Sequence, residues 1–239
     1  MYDNEVNCTM AEEALLHREE LGGGACVWTH PQYKFGTDAM LLARFALACA
    51  PHAQRAADLG TGCGIIPVVW AQERPALQIF AAEIQPQAAA LARKSAADSG
   101  FADQITVWEG DLRQLRQSDL PERAAMQLVS CNPPYFLPGS GYLAGQDGRR
   151  IARAEESCTV YDAASAAARL LNDGGWFCMI HRAERLTDAL EAMRSAGVEP
   201  KRLQLVQTSP AKAPKLFLVG GRRSGKPGLE VLPNLVLNQ

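Results

Sequence analysis

The sequence predicts one α/β domain built on a mostly parallel sheet with helices on both faces. Three observations lead there. From Arg55 onward, short apolar runs alternate with helical stretches, the signature of parallel strands joined by crossover helices. A glycine loop, Asp58-Leu59-Gly60-Thr61-Gly62-Cys63-Gly64, ends the first of these strands and opens a helix. Acidic residues then close the next two strands, at the edge where open α/β sheets receive ligands. With 239 residues and 47% hydrophobic content, the chain fills one such domain, and two would be cramped.

Along the chain, residues 1–24 are expected to be an acidic lead-in, solvated or flexible, because Asp3, Glu5, Glu12, Glu13, Glu19 and Glu20 stand against Arg18 before Gly22-Gly23-Gly24. The domain itself is expected over 25–239. Ala25 to Phe35 reads as a short extended or hairpin segment, and Asp38 to Cys49 as a helix capped by Thr37 or Asp38. Strands are predicted near 56–59, 78–82, 105–109, 128–131, 176–180, 202–207 and 216–219, with helices near 65–72, 86–99, 161–170 and 182–196. The loop from Pro138 to Gly148 holds four glycines and is long for a compact domain, so it is expected to be functional or mobile.

Composition narrows the function classes. A formal net charge of −2 gives no global pull toward nucleic acid, so any basic surface is local. The cysteines, at 8, 26, 49, 63, 131, 158 and 178, form no CxxC and no metal-finger spacing, so no metal site is expected. Cys63 and Cys131 fall near the expected pocket and read as space-filling thiols. His17, His30, His52 and His181 have no partner pattern. No leader and no apolar run of about 20 residues is seen, so the expectation is a soluble protein of a reducing cytoplasm with no membrane partner.

The spacing of the glycine loop is GxGxG, unlike the GxGxxG of dinucleotide binders, and suits a ligand with an ammonium and a carboxylate in place of a pyrophosphate. Asp58 is placed to face the ammonium and the amides of Gly60, Gly62 and Gly64 to face the carboxylate. A glycine loop alone suits a tight strand-to-helix turn equally well. Glu83, about twenty residues on, is placed to accept from two ribose hydroxyls, and Asp111, after Gly110, from an adenine amino group.

Chemistry concentrates after the fourth predicted strand, at Asn132-Pro133-Pro134-Tyr135-Phe136. Two prolines fix φ twice and remove two donors, so the turn presents carbonyls without competing N–H groups. An exocyclic or amide NH₂ is a poor nucleophile because its lone pair is delocalised. The Asn132 side-chain carbonyl and the Pro133 backbone carbonyl can each accept one of its N–H groups, aligning the nitrogen and favouring a pyramidal transition state. Tyr135 offers a stacking face for a planar substrate, with Phe136 beside it.

The NPPY sequence behind the DLGTGCG loop resembles the class I, S-adenosylmethionine-dependent methyltransferases that act on amino nitrogens, which are Rossmann-like with a mostly parallel seven-stranded sheet. Within that class, Phe35 to Leu42, Asp58 to Pro67, Cys131 to Phe136 and Gly225 to Leu229 are similar to the tRNA1(Val) adenine-N6 methyltransferase family. The resemblance covers most of the chain from about Leu21. It implies S-adenosylmethionine as cofactor, a tRNA adenosine as substrate, and Thr37 and Asp38 against the methionine end, where a helix N-cap is the plainer reading. Relatives commonly continue past the segment matching Leu229 to Leu237.

The same motif also serves the glutamine amide of release factors, guanine N2 in ribosomal RNA, and adenine N6 in DNA. Fewer than sixty residues precede Asp58 and no insertion is large enough for a target-recognition region, so a folded RNA is the expected partner. Between Lys201 and Leu229 seven basic residues, Arg222 and Arg223 among them, occur without an acid. Arg149, Arg150 and Arg153 follow the glycine-rich loop and are expected near phosphates flanking a flipped base.

Overall fold

In chain order the elements are β1 (His17–Gly22), β2 (Ala25–Thr29), α1 (Thr37–Cys49), β3 (Arg55–Leu59), α2 (Ile65–Glu73), β4 (Gln78–Glu83), α3 (Pro86–Asp98) and β5 (Ile105–Glu109). They continue with β6 (Met126–Cys131), α4 (Val160–Leu170), β7 (Leu171–Arg182), α5 (Leu186–Ser195), β8 (Val198–Gln207), β9 (Leu216–Arg223), β10 (Glu230–Val231) and β11 (Leu235–Val236). The computed structural model describes residues 14–121, 124–133 and 158–237.

The main sheet runs β5-β4-β3-β6-β7-β9-β8, and the short β10 and β11 both pair with β8. Neighbours from β5 to β7 are parallel, whereas β9 is antiparallel to both β7 and β8. Its central strands are apolar on both faces because both are covered. Ala56, Leu128, Cys178, Ile180 and Leu218 face a core shared with α1, α2 and α3. The alternate residues Ala57, Val129, Phe177, Met179 and Phe217 face the core shared with α4 and α5. Strand order reverses between β3 and β6, so the chain leaves their carboxyl ends in opposite directions and opens a crevice there.

Two segments depart from expectation. Within the expected lead-in, residues 17–22 form β1, paired antiparallel with β2 around Gly23 and Gly24 at φ +61° and +85°. The acidic composition indicates which face is solvated, but order comes from β2. Its Cys26 and Trp28 amides donate to the hydroxyls of Ser99, the C-cap of α3, and Ser95 within α3 at 3.0 and 2.9 Å, and Ala25, Cys26 and Val27 are buried. Trp28 adds an Nε1–H bond to Asp98 at 2.8 Å with the Lys94 ammonium 4.3 Å from its ring. At the other end, β10 and β11 cover the outer edge of β8, held by Gln204 to the Pro233 carbonyl and Asn234 to Gln207. Two-residue strands carry no periodicity to read.

The N-cap of α1 is Gly36, with neither Thr37 nor Asp38 in that place. A Cβ on Gly36 would lie 2.5 Å from Asp38 Oδ1, so glycine makes room for that carboxylate in the first turn. Strand β7 begins at Leu171, earlier than its Asn172-to-Gly175 stretch suggests, because Leu171 pairs with Met126 of β6. Among the described residues no helix is long and apolar enough to cross a membrane.

Candidate active site

The carboxyl ends of β3, β4, β5 and β6 border a cleft of about 350 Å³, in the size range of small-molecule sites. Gly60, Gly62, Glu83, Asp111, Asn132 and Pro133, six of the residues singled out in the sequence, line it together. Lys34 and Cys158 also line it, and neither carries a sequence signal: one is a lone lysine, the other a lone thiol.

The glycine loop is folded back on β4. The Gly60 and Thr61 amides both donate to the Ala82 carbonyl at 2.8 and 3.0 Å, Gly64 donates to Thr61, and Gly62 donates to Glu83 Oε2 at 2.8 Å. The expectation that these amides face a ligand carboxylate is therefore corrected: they hold the loop. Gly60 and Gly62, at φ +72° and +58°, have nothing within 4 Å of where a Cβ would stand, so bare backbone borders the cleft. Gly64 serves packing instead, with Ala92 of α3 only 3.1 Å from its Cβ position.

Glu83 is 5% exposed, with Oε2 on Gly62 and Oε1 accepting from the Gln85 amide at 2.9 Å. Each carboxylate oxygen accepts two hydrogen bonds, so both keep a position for a ligand hydroxyl. Asp111 is more fully occupied, since Arg113 grips both oxygens, Nη2 to Oδ2 at 2.6 Å and Nε to Oδ1 at 3.0 Å. That guanidinium holds the Asp111 carboxyl below the usual carboxylate range. An adenine amino group reaches Asp111 only if Arg113 shares it.

Asp58 does not line the cleft. It is 1% exposed and accepts from Ser130 Oγ at 2.5 Å across the β3–β6 pairing. Burial pushes its carboxyl up to about 6 from an ordinary 3.8, the Ser130 and Thr61 hydroxyls pull it back, and the Glu83 charge adds to the rise. The assignment of Asp58 to a ligand ammonium is thus replaced by a buried carboxyl bracing the loop from beneath. The neighbouring thiols stay protonated at neutral pH: burial pushes Cys63 and Cys158 up to about 12 and Cys131 well above its ordinary value.

Asn132 follows β6 at the switch point. Its Nδ2 donates to Asp38 Oδ2 at 3.2 Å, while its Oδ1 is buried with no hydrogen-bond partner among the described residues. A buried amide oxygen left unpaired costs about 1–3 kcal/mol, which a ligand N–H would recover. Asp38 accepts from Asn132, which lines the cleft, whereas neither Asp38 nor the exposed Thr37 lines it.

Arg222 and Arg223 lie at the other end of the sheet. Arg222 pairs with Trp176 and Trp176 with Leu128, four residues before Asn132, roughly 13 Å away along the strand. Arg222 Nε donates to the Gly174 carbonyl at 3.0 Å, and Arg223 Nη1 to the Ala196 and Gly197 carbonyls just past α5 at 3.0 and 3.2 Å. Placing them at the substrate is corrected: carbonyls at loop and helix ends claim them. Tyr135, Phe136, Arg149, Arg150 and Arg153 lie outside the described residues, as does the Pro138 to Gly148 loop.

This sheet order, with its glycine loop and acidic second strand, is that of the class I S-adenosylmethionine-dependent methyltransferases. Residues 24–196 match the Methyltransferase small domain, and the chain belongs to that family. It is 33% identical over 187 residues to the tRNA1(Val) (adenine(37)-N6)-methyltransferase of Porphyromonas gingivalis, spanning 77% of this chain and 72% of that protein. A protein of the same name from Yersinia enterocolitica is 31% identical over 148 residues, 62% of this chain and 56% of the relative. Among solved structures, a predicted O-methyltransferase of Agrobacterium tumefaciens shares the fold, with a TM-score of 0.62 and 23% identity over 83% of this chain and 86% of that one. The cofactor is S-adenosylmethionine, and the cleft fits it: bare backbone at Gly60 and Gly62 leaves room, and Glu83 keeps two acceptor positions for ribose hydroxyls.

Proposed function

We propose that the protein methylates the N6 amino group of an adenosine in RNA, with adenosine 37 of a tRNA1(Val) as the acceptor. The observation that carries this reading is the buried Oδ1 of Asn132, a residue of the cleft wall, which has no hydrogen-bond partner among the described residues. An acceptor held there without a partner suits a substrate that brings its own N–H, and an amino group brings two. The names of the relatives support adenine in tRNA as the source of that group.

S-adenosylmethionine supplies an electrophilic methyl group on a sulfonium. Asn132 Oδ1 and the Pro133 carbonyl each accept one N–H of the amine, fixing the nitrogen in line and drawing its lone pair out of the ring system. The nitrogen becomes cationic, and therefore acidic, only on attack, so its proton leaves afterwards and no strong base is required beforehand. Glu83 takes the ribose hydroxyls while its other lone pairs keep Gly62 and Gln85 in place. Tyr135 and Phe136 stack the extruded base, and Arg149 and Arg150 meet the flanking phosphates.

For the wider RNA contact, the carboxyl end of the sheet supplies cations that Arg222 and Arg223 do not. Lys34 is exposed at the cleft, and Lys212 and Lys215 are exposed on the turn between β8 and β9, beside the end of β7. Phosphate contacts there need no global positive charge.

The test is transfer of labelled methyl from S-adenosylmethionine, by the purified protein, to tRNA, ribosomal RNA and a peptide release factor in parallel. N6-methyladenosine in tRNA is the expected product. Label confined to a release-factor glutamine, or to guanine in ribosomal RNA, overturns the reading.

A further inference from the structure

We infer that Asp38 is a positioning residue which sets the orientation of the Asn132 amide and so fixes an acceptor, not a donor, toward the substrate. The inference rests on the reading of Asn132 as the amine acceptor and names the device that makes it one.

A primary amide has two nearly isosteric ends, an oxygen that accepts and an NH₂ that donates, and it rotates between them unless a neighbour discriminates. For methylation of an amino group only one orientation works. With NH₂ facing the cleft, donor would meet donor. Pro133, which follows Asn132, has no N–H to hold the oxygen end of the amide. Asp38 can. An ionised carboxylate only accepts, so the end of the amide that faces it must be the NH₂. The Nδ2 to Oδ2 contact of 3.2 Å and the unpartnered Oδ1 are the two sides of that one choice.

Several features hold Asp38 to this task. It occupies the first turn of α1, where the helix dipole favours a negative charge. Gly36 leaves the space its carboxylate needs, since a Cβ there would stand 2.5 Å from Oδ1. The pair joins residues 94 apart in sequence, so α1 and β6 must be docked before the acceptor is set. A hydrogen bond from the amide to a charged acceptor also polarises the amide, making its oxygen the better acceptor. The family resemblance implies Asp38 at the methionine end of the cofactor, with a helix cap as the plainer reading, and in the structure its carboxylate accepts from Asn132.

The test uses the intact protein and the variants D38N, N132D and D38N/N132D. Substrate is not needed for the first arm: in protein carrying ¹⁵N-asparagine, the Asn132 side-chain NH₂ signal, identified by its loss in N132D, is expected to shift in D38N while other asparagine signals stay. An unmoved signal overturns the inference without touching the proposed function.

The second arm measures methyl transfer to tRNA and binding of S-adenosylhomocysteine by calorimetry, with melting curves to confirm folding. D38N is expected to lower turnover roughly 10- to 100-fold, the scale of one misaligned buried hydrogen bond, with product affinity within about twofold. N132D alone faces two carboxylates toward each other and falls at least as far. In the double variant the amide at 38 donates to the carboxylate at 132, whose other oxygen again faces the cleft, so turnover is expected to recover above both single variants. Simple multiplication of the two losses, or a loss of cofactor-product affinity that matches the loss of rate, overturns the assignment and returns Asp38 to cofactor binding. Absence of transfer by the wild-type protein, with the NMR shift present, instead counts against the substrate reading alone.

Discussion

The two ends of the central sheet use polar groups in opposite ways. At the amino end, Arg222, Arg223 and Arg55 donate to the carbonyls of Gly174, Ala196, Gly197 and Ala125, and Gln127 accepts from the Gln54 and Arg55 amides. At the carboxyl end, Glu83 keeps lone pairs in reserve and Asn132 Oδ1 is buried without a partner. Satisfied polar groups close a structure, and unsatisfied ones describe what must arrive. The contrast explains why two arginines that looked like an RNA footprint are better understood as fasteners, while one uncharged amide oxygen carries the most information about substrate.

Substitutions at the two ends should separate along the same line. The largest effect is expected at Asn132. Asn132→Ala should reduce methyl transfer by about 100-fold or more, since an acceptor used on the reacting amine is lost, with cofactor affinity little changed. Single-turnover rates set beside calorimetric affinities measure that split, and equal losses in both would remove Asn132 from the chemistry.

Next is the buried carboxyl beneath the loop. The Asp58 value of about 6 in the folded protein lies above its ordinary 3.8, so the native state keeps a proton that the unfolded chain has released. Its stabilising contribution is complete below about pH 4 and is lost as pH rises through about 6. Relative to D58N, the wild-type protein should therefore lose on the order of 2–3 kcal/mol of unfolding free energy across that window, measured by urea titration at a series of pH values. A difference that stays flat with pH would contradict the raised value.

Glu83→Gln should weaken binding of S-adenosylhomocysteine about tenfold and cost about 1–2 kcal/mol of stability, because the carboxylate proposed to take the ligand hydroxyls also accepts from the Gly62 amide. An affinity loss with no change in melting would separate the two roles assigned to it. The smallest effects are expected from surface charge. K212E/K215E should weaken tRNA binding and flatten its dependence on salt by about one unit of slope per lost phosphate contact. Arg223→Ala, in contrast, should lower stability by about 1 kcal/mol and leave RNA affinity unchanged. If the two swap behaviour, the RNA-facing end has been misassigned.

Much of the fold was legible in advance because crossover-linked parallel strands leave local marks. The glycines at 60, 62 and 64, the apolar runs and the acids at strand ends each speak for themselves, and β5 at Ile105–Glu109 has the bounds its pattern predicts. What escaped depends on partners distant in sequence. β1 is ordered by β2, which is ordered by Ser95 of α3 and its C-cap Ser99, about seventy residues away. Arg113 is an ordinary surface residue until its bidentate grip on Asp111 is seen. Asp58 reads as a ligand contact because its position matches one, yet its carboxyl points into the sheet toward Ser130. Residue type gave the chemistry available, and the docking of α1 against β6 determined which end of the Asn132 amide meets Asp38 and which is left over.

The proposed function requires the Asn132 oxygen to receive an amino group of an adenine in RNA. Mass spectrometry of nucleosides from tRNA incubated with wild-type protein and with N132A, at saturating S-adenosylmethionine, tests it most directly. The expected result is N6-methyladenosine with the wild-type protein and its loss in N132A, with S-adenosylhomocysteine affinity retained. Undiminished N6-methyladenosine with N132A, or a methyl group found on another atom of the RNA, would contradict it.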